Sequence, residues 1–347
     1  VNEDSASESV PEPPSPSARF ERIYARLERF IPWISLGLSI AGAVAVDRSE
    51  TRGPWVAAAA ALGWVVLVLV SLAHRPHDAA TTGALRKLAR FATTSASQSL
   101  LQLSLFFCAP FYFEASAWTL PQCAFGVVFV AVTALTLWDP LCSRVLLHPF
   151  GGPFLTGFAS FVGWNAALPM LGVSQKTSVW LAAGTVAVAL PVTRFVQGAR
   201  GKLMQGTLLA GALLPTLLFL GGIQAIPPAP LRVMRAALGT RVVERELVDP
   251  TLRFAHAPPS VVCFTAIRAP SHLHDVLEHV WIFEGKVLSR IPLKLQGGRR
   301  QGFRTWSRLH ISSRAEGLLR CEVRNSLGQA LGGAKAQIGS SEHGAPR

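Results

Sequence analysis

The order of apolar and polar positions divides the chain into two parts with different periods. As far as residue 226 the apolar positions come in long runs, roughly 30–46, 54–73, 91–113, 118–138, 149–172, 179–193 and 203–226. Most approach the roughly 20 residues that a helix needs to cross a bilayer core. Their five internal prolines, Pro110, Pro121, Pro169, Pro191 and Pro215, are kinks that neighbouring spans absorb. From about residue 240 the pattern shortens to a period of two. Strand-like runs at 261–267, 276–284, 287–295, 303–311 and 318–324, with a final pair over 329–338, are separated by turn signals such as Glu284-Gly285 and Gly297-Gly298. Within them Val287, Ile291, Leu293 and Leu295 share one side, opposite Arg290 and Lys294. Likewise Leu319, Cys321 and Val323 oppose Arg320, Glu322 and Arg324.

These periods predict an α-helical multi-pass membrane bundle of about seven spans followed by a C-terminal all-β sandwich-like domain. The expected organisation is a disordered acidic tail over 1–18, a membrane domain over 19–226 and a linker over 227–257. The linker includes a short surface helix at 231–238; a β-sandwich over 258–338 and a second disordered tail over 339–347 follow. The first 18 residues, VNEDSASESVPEPPSPSA, are too poor in apolar side chains to offset the entropy of ordering. No basic n-region precedes the first apolar run, so that run reads as an anchor rather than a signal peptide. Between tail and anchor, Phe20, Ile23, Tyr24, Leu27 and Ile31 recur at helical spacing. An interfacial helix and an extension of the first span both fit them.

Composition sharpens this picture. Half the 347 residues are hydrophobic and 15% are charged, which excludes an ordinary soluble enzyme as the default reading. The net charge of +13 sits in loops and in the terminal part, a distribution that points to anionic lipid or polymer and not to nucleic acid. The bilayer is the expected partner, with anionic lipid, a cell-envelope polymer or an envelope protein beyond it. Arg19, Arg22, Arg26, Arg29, Arg75, Arg86, Lys87, Arg90, Arg144, Arg194, Arg200 and Lys202 fall in one set of connections; Arg48, Arg52 and Lys176 fall in the alternate set. Twelve against three, a contrast that Arg232 and Arg235 just past the last run weaken without reversing, predicts a cytoplasmic N-terminus and an extracytoplasmic C-terminal domain.

Candidate chemistry is sparse. Within the apolar runs, Ser95, Gln98, Ser99 and Gln102 fall on one helix face and Asn165 stands alone, while Asp139 and His148 flank the expected inner loop after the fourth run, in WDPLCSRVLLHPF. Such residues mark transport paths or act as helix-helix glue, and without a buried carboxylate glue is the preferred reading. Cys263 and Cys321 lie in predicted strands, where a disulfide and two separately buried thiols both remain open. Cys108, Cys123 and Cys142 lack metal-ligand spacing. On the polar sides of the strands, Arg304, Trp306, Arg308 and His310, with Arg290, Lys294, Arg320 and Arg324, suggest a binding face for phosphate, carboxylate or sugar; the alternative is a solvated surface. His272, His274 and His279 match no zinc spacing, and His279 reads as a core residue.

The blocks GTRVVERELVDP, VVCFTAI, HVWIFEGKVLSRIPLKL, GFRTWSRLHI and LLRCEVRNSLGQALG resemble domain-of-unknown-function family 2914. The preceding region, with its WDP segment, resembles family 5924. The resemblance rests most on the Phe264-Thr265 pair, on HVW followed by GK, on Arg304 and Ser307, and on the NSLGQ turn. It implies an extracytoplasmic β module carried by a bacterial inner-membrane protein, and it brings no catalytic motif. H-E-x-x-H, G-x-S-x-G, phosphate-loop and dinucleotide fingerprints are all missing, and no cofactor is implied. The expected function is non-enzymatic binding at the envelope, with a transporter or flippase as the alternative.

Overall fold

The computed structural model describes residues 83–339, except 149, 197–199 and 300, together with positions 30, 33, 37, 41 and 65. The expectations for the acidic tail, the amphipathic stretch, the first two apolar runs and the last eight residues lie outside these. Among the described residues six α-helices come first: α1 (Gly83–Ala115), α2 (Leu120–Leu137), α3 (Asp139–Leu147), α4 (Gly151–Met170), α5 (Gln175–Val196) and α6 (Lys202–Phe219), closed by a short 3-10 turn, η1 (Gly222–Ala225). Prolines mark two of the starts, since Pro121 and Pro140 sit in the first turns of α2 and α3, where a missing N–H costs nothing.

The seven-span bundle is therefore corrected: the described residues hold six helices, not seven spans, and a C-terminal β region. Among the described residues only α2 and α6 are long and apolar enough to cross a membrane. In α1 and α4 the apolar run reaches the necessary length, but Gln98, Gln102 and Asn165, with neighbouring serines and glycines, dilute its hydropathy. The segment after α2, expected to be a loop, is the helix α3, whose nine residues rise only about 13 Å.

The helices share one core. Leu101, Leu105 and Tyr112 of α1 meet Phe129 of α2, Leu155 and Val162 of α4, and Val179, Ala183 and Val186 of α5. Gly211 of α6 lets that helix approach the backbone of α5, because a Cβ there would lie 2.9 Å from the Ala187 carbonyl oxygen. In contrast, only 28% of the α2 apolar window and 17% of the α6 window are buried. Leu209 and Phe219 of α6 are 72% and 79% exposed.

Ten strands follow: β1 (Arg232–Gly239), β2 (Val242–Val243), β3 (Glu246–Leu247), β4 (Arg253–Phe254), β5 (Ser260–Arg268), β6 (His274–Phe283), β7 (Lys286–Gln296), β8 (Phe303–His310), β9 (Gly317–Asn325) and β10 (Ala330–Ile338). They form a three-stranded sheet, β1-β5-β8, a five-stranded sheet, β4-β10-β9-β6-β7, and the small hairpin β2-β3. The two larger sheets face each other across a core of Leu238, Val261, Trp281, Leu319 and Ile338.

Two local expectations fail here. Residues 231–238, read as a short helix, are mostly β1, because pairing with β5 along its whole length overrides the helical propensity of Leu, Arg, Met and Ala. Val287, read as inward, is 49% exposed. A register shift between Trp281 and Ile282 leaves Leu288 unmatched and turns the start of β7 over.

The β region is fastened to one end of the helices by fully buried amides. Gln122 Nε2, near the start of α2, donates to Ala330 O (2.8 Å), and Gln175, which opens α5, donates its Nε2 to Ala229 O (2.8 Å) and its backbone N–H to Asp275 Oδ2 (3.0 Å). From the β side, Gln329 Nε2 donates to both Ile223 O (3.0 Å) and Ile226 O (2.7 Å), and Asn325 Nδ2 donates to Gln329 Oε1. Arg232 closes the joint on Glu114 at 3.1 Å. Thus the C-terminal ends of α1, α4 and α6 and the N-terminal ends of α2 and α5 all meet the β region. The Gln329→Ala variant should lower the unfolding free energy of the full chain in detergent by about 2 kcal/mol, because Ile226 O and the Asn325 amide lose their partner and Ile223 O loses one of its two donors. Thermal unfolding followed by tryptophan fluorescence measures it.

Candidate functional site

The inner faces of the sandwich carry a buried polar chain. The His279 ring, fully buried, lies 2.9 Å from Thr265 Oγ1 through Nε2 and 2.7 Å from Ser307 Oγ through Nδ1, and Trp281 Nε1 donates to the same Ser307 Oγ (3.0 Å). Beside it Cys263 of β5 and Cys321 of β9 are joined as a disulfide, with Cα atoms 6.3 Å apart, tying one sheet to the other. Although Cys263, Cys321 and His279 bring their side-chain donor atoms within 4.8 Å of one another, the sulfurs are bonded to each other. Burial pushes His279 down to about 4. His272 and His274 stand apart, before and at the start of β6.

The basic residues singled out in the sequence do not share one face. Arg290 and Lys294 on β7 and Arg320 and Arg324 on β9 point outward from the five-stranded sheet. Two of them are held by acids of that sheet, Arg290 by Glu278 (3.4 Å) and Arg324 by Glu322 (2.7 Å). Exposed pairs of this kind contribute at most about 1 kcal/mol. Arg304, Trp306 and Arg308 alternate along β8 on the outer face of the opposite sheet, about a sandwich thickness away. The expected single grip is therefore two surfaces.

The face around β8 gains residues that the sequence reading missed. In register across β1, β5 and β8, Arg232 faces Arg268, then Arg235, Ala266 and Arg304 form a row, and Ala237, Phe264 and Trp306 form the next. The hairpin β2-β3 lies over this face and packs Leu247 on Val262, Phe264 and Ala266. From its last pair Glu246 extends one carboxylate to two guanidinium groups, Arg304 Nη1 at 2.8 Å and Arg235 Nη1 at 3.2 Å. Each guanidinium has a further support: Arg304 Nη2 donates to Gln301 Oε1 (2.8 Å), and Arg235 lies over the Phe264 ring, 5.6 Å from its centroid. Trp306, 42% exposed, lies beside Phe264 on the same face. The hairpin turn consists of Glu244 and Arg245 at φ +49° and +63°, a conformation that costs non-glycine residues about 1 kcal/mol each. Arg232 and Arg235, counted in the sequence only as charges past the last run, were not placed on this face because a helix was expected there; the alternation that would have marked them is broken by a register shift between Val233 and Arg235.

The helical polar residues are committed to structure. Residue 140 is proline, so Thr136 O has no helical N–H four residues on; Gln98 Nε2 (2.9 Å) and Gln102 Nε2 both donate to it. Asn165 Nδ2 donates to Tyr112 Oη (3.0 Å), whose hydroxyl donates to Val162 O (3.0 Å). Asp139 is the first residue of α3, and Cys108, Cys123 and Cys142 lie in α1, α2 and α3. Because either glutamine serves the carbonyl, Gln98→Leu or Gln102→Leu alone should cost about 1 kcal/mol, and the double variant more than the sum. A double-mutant cycle by thermal unfolding reads that coupling.

His279 sets a pH dependence. Its imidazole is neutral in the fold down to about pH 4, whereas the unfolded chain takes up the proton near 6.5. The unfolded state binds more protons within that window. Stability is therefore full above pH 6.5, falls by up to about 3 kcal/mol towards pH 4 and levels off below. Unfolding midpoints across this range should show the fall, and His279→Gln should flatten it.

Comparison with known families matches residues 15–256 to the Family of unknown function (DUF5924) and residues 274–336 to the Protein of unknown function (DUF2914). No curated protein matches the chain. The first match runs beyond the helices through β1 to β4, and the second takes in β6 to β9 and most of β10. One sandwich thus draws strands from both. With its model covering well over half of the sequence, the chain belongs to the Family of unknown function (DUF5924).

Proposed function

We propose that the protein is a membrane-anchored, non-enzymatic binding protein of the bacterial inner membrane. Its β region stands on the extracytoplasmic side and presents the Arg235, Arg304 and Trp306 face to an anionic envelope ligand. One observation carries the reading. Along the helices, Arg86, Lys87, Arg90, Arg144, Arg194, Arg200 and Lys202 belong to the ends remote from the β region, and Lys176 alone belongs to the ends that meet it. Lysine and arginine collect on the cytoplasmic side of membrane proteins, so this asymmetry supports an extracytoplasmic β region. Support also comes from the Cys263 to Cys321 disulfide, a bond that persists in oxidising compartments. The outward apolar surfaces of α2 and α6 fit contact with lipid, since a core helix of a soluble protein hides its apolar window and these two do not.

In intact cells a membrane-impermeant maleimide should label Lys286→Cys, at the β6-β7 turn, and should label Arg200→Cys only after permeabilisation. The reverse pattern would sink the orientation. The full chain in zwitterionic nanodiscs should bind phosphatidylglycerol vesicles in preference to phosphatidylcholine vesicles, with an affinity that falls as salt rises. Equal binding to both vesicle types would remove the anionic-ligand reading.

A further inference from the structure

We propose that Arg235 and Arg304 form a seat for a phosphate group that the chain's own Glu246 fills in the state seen here, making the β2-β3 hairpin a displaceable cover. The proposal rests on the anionic-ligand reading above and specifies its site, its ligand class and what opens it.

The two guanidinium groups come from β1 and β8, strands separated by β5, and converge on one carboxylate from a third element. That is how a fork of arginines meets a phosphate, with a carboxylate as the resident anion. The seat does not depend on Glu246 for its shape. Phe264 supports Arg235, and Gln301 holds Arg304 from the far side. A further guanidinium, Arg308, follows along β8 on the same face.

The cover is built to leave. Its two strands make two residue pairs, Val242 with Leu247 and Val243 with Glu246, and its turn holds two non-glycine residues at positive φ. Its base is fixed: Asp249 accepts the backbone N–H groups of Thr240 (3.1 Å) and Arg241 (3.0 Å). A swing about that base removes Glu246 from the arginines and Leu247 from Phe264 together. The exposed floor is then a phosphate seat beside an apolar patch of Phe264 and Val262, bordered by Trp306. Such a floor matches an amphiphilic phosphate, the group a phospholipid presents, better than free phosphate.

The full chain in a neutral maltoside detergent is titrated with dihexanoyl phosphatidylglycerol and, separately, with glycerol 1-phosphate, binding being read by calorimetry and cover opening by hydrogen exchange over 242–247. The lipid should bind, and exchange in the hairpin should rise with occupancy. Glu246→Gln removes the competing charge and should tighten binding about five- to tenfold, while Arg235→Gln and Arg304→Gln should each weaken it at least tenfold. Lipid binding without glycerol phosphate binding supports the apolar floor; equal binding of both overturns the lipid preference. If Glu246→Gln binds no more tightly than the natural chain, or hairpin exchange does not change, the cover is refuted. Salt-sensitive vesicle binding that survives both arginine variants would refute the seat alone and leave the surface reading intact, whereas no binding to vesicles or to either ligand removes both. Each variant's unfolding midpoint, expected within a few degrees of the natural chain, confirms that the fold persists.

Discussion

Everything in the β region is oriented by a buried exchange of amide hydrogen bonds at the helix ends. Helix termini leave main-chain carbonyls without partners, and such groups are costly to bury unmet. Gln329 satisfies one of them, Ile226 O, and adds a second donor to Ile223 O from the far side of the joint, while Gln122 and Gln175 reach back to Ala330 O and Ala229 O. Each amide is itself positioned, Gln329 by Asn325 and Gln122 by the backbone N–H of Ala117. Leu327 at the same turn packs into the helical core, so the joint is apolar as well as bonded. A domain held this way does not tumble on a tether. The orientation of its basic faces is fixed relative to the helices, and this is what gives the charge asymmetry along those helices its meaning.

The residues that carry the family resemblance turn out to be architectural. Thr265, His279, Trp281 and Ser307 are the polar chain between the sheets, and Asn325 with Gln329 forms the joint. Trp281 needs an acceptor when buried, Ser307 supplies it, and the His279 imidazole continues the chain to Thr265. The Arg304 guanidinium is the exception among those positions, since it leaves the core for the surface. A family signature of this kind specifies how two sheets and a helix layer meet.

The legibility of the chain follows the range of the forces involved. Alternation over 276–283 and 317–325 was readable because one buried face imposes a period of two on each strand by itself. The fate of Arg232 and Arg235 was not, since their local propensity is helical and only β5, some 30 residues later, makes them a strand. The division of the arginines between two faces was hidden for a similar reason: strand alternation says which residues point outward and not which sheet they leave. In the helices, run length overstated the number of spans, because an apolar run that contains Gln98, Gln102 or Asn165 has the length of a span and a lower hydropathy. Pro140 carried a legible clue that was passed over. A proline just past an apolar run orphans the carbonyl four residues back, and the glutamines of α1 answer it.

Comparison of the two outer faces shows why only one of them is suited to a switch. On the five-stranded sheet, Arg324 pairs with Glu322 on its own strand and Arg290 with Glu278 on the adjoining one, so neither pair changes unless the ladder itself does. Glu246 belongs to a separate element of two-residue strands, yet it joins β1 to β8. An arginine pair without a counter-ion would repel, and one filled by a rigid neighbour would be closed to any ligand. A carboxylate on a short hairpin avoids both, because it neutralises the pair at rest and competes with an arriving anion by no more than a surface ion pair contributes. The disulfide and the buried joint keep the strands beneath it in place.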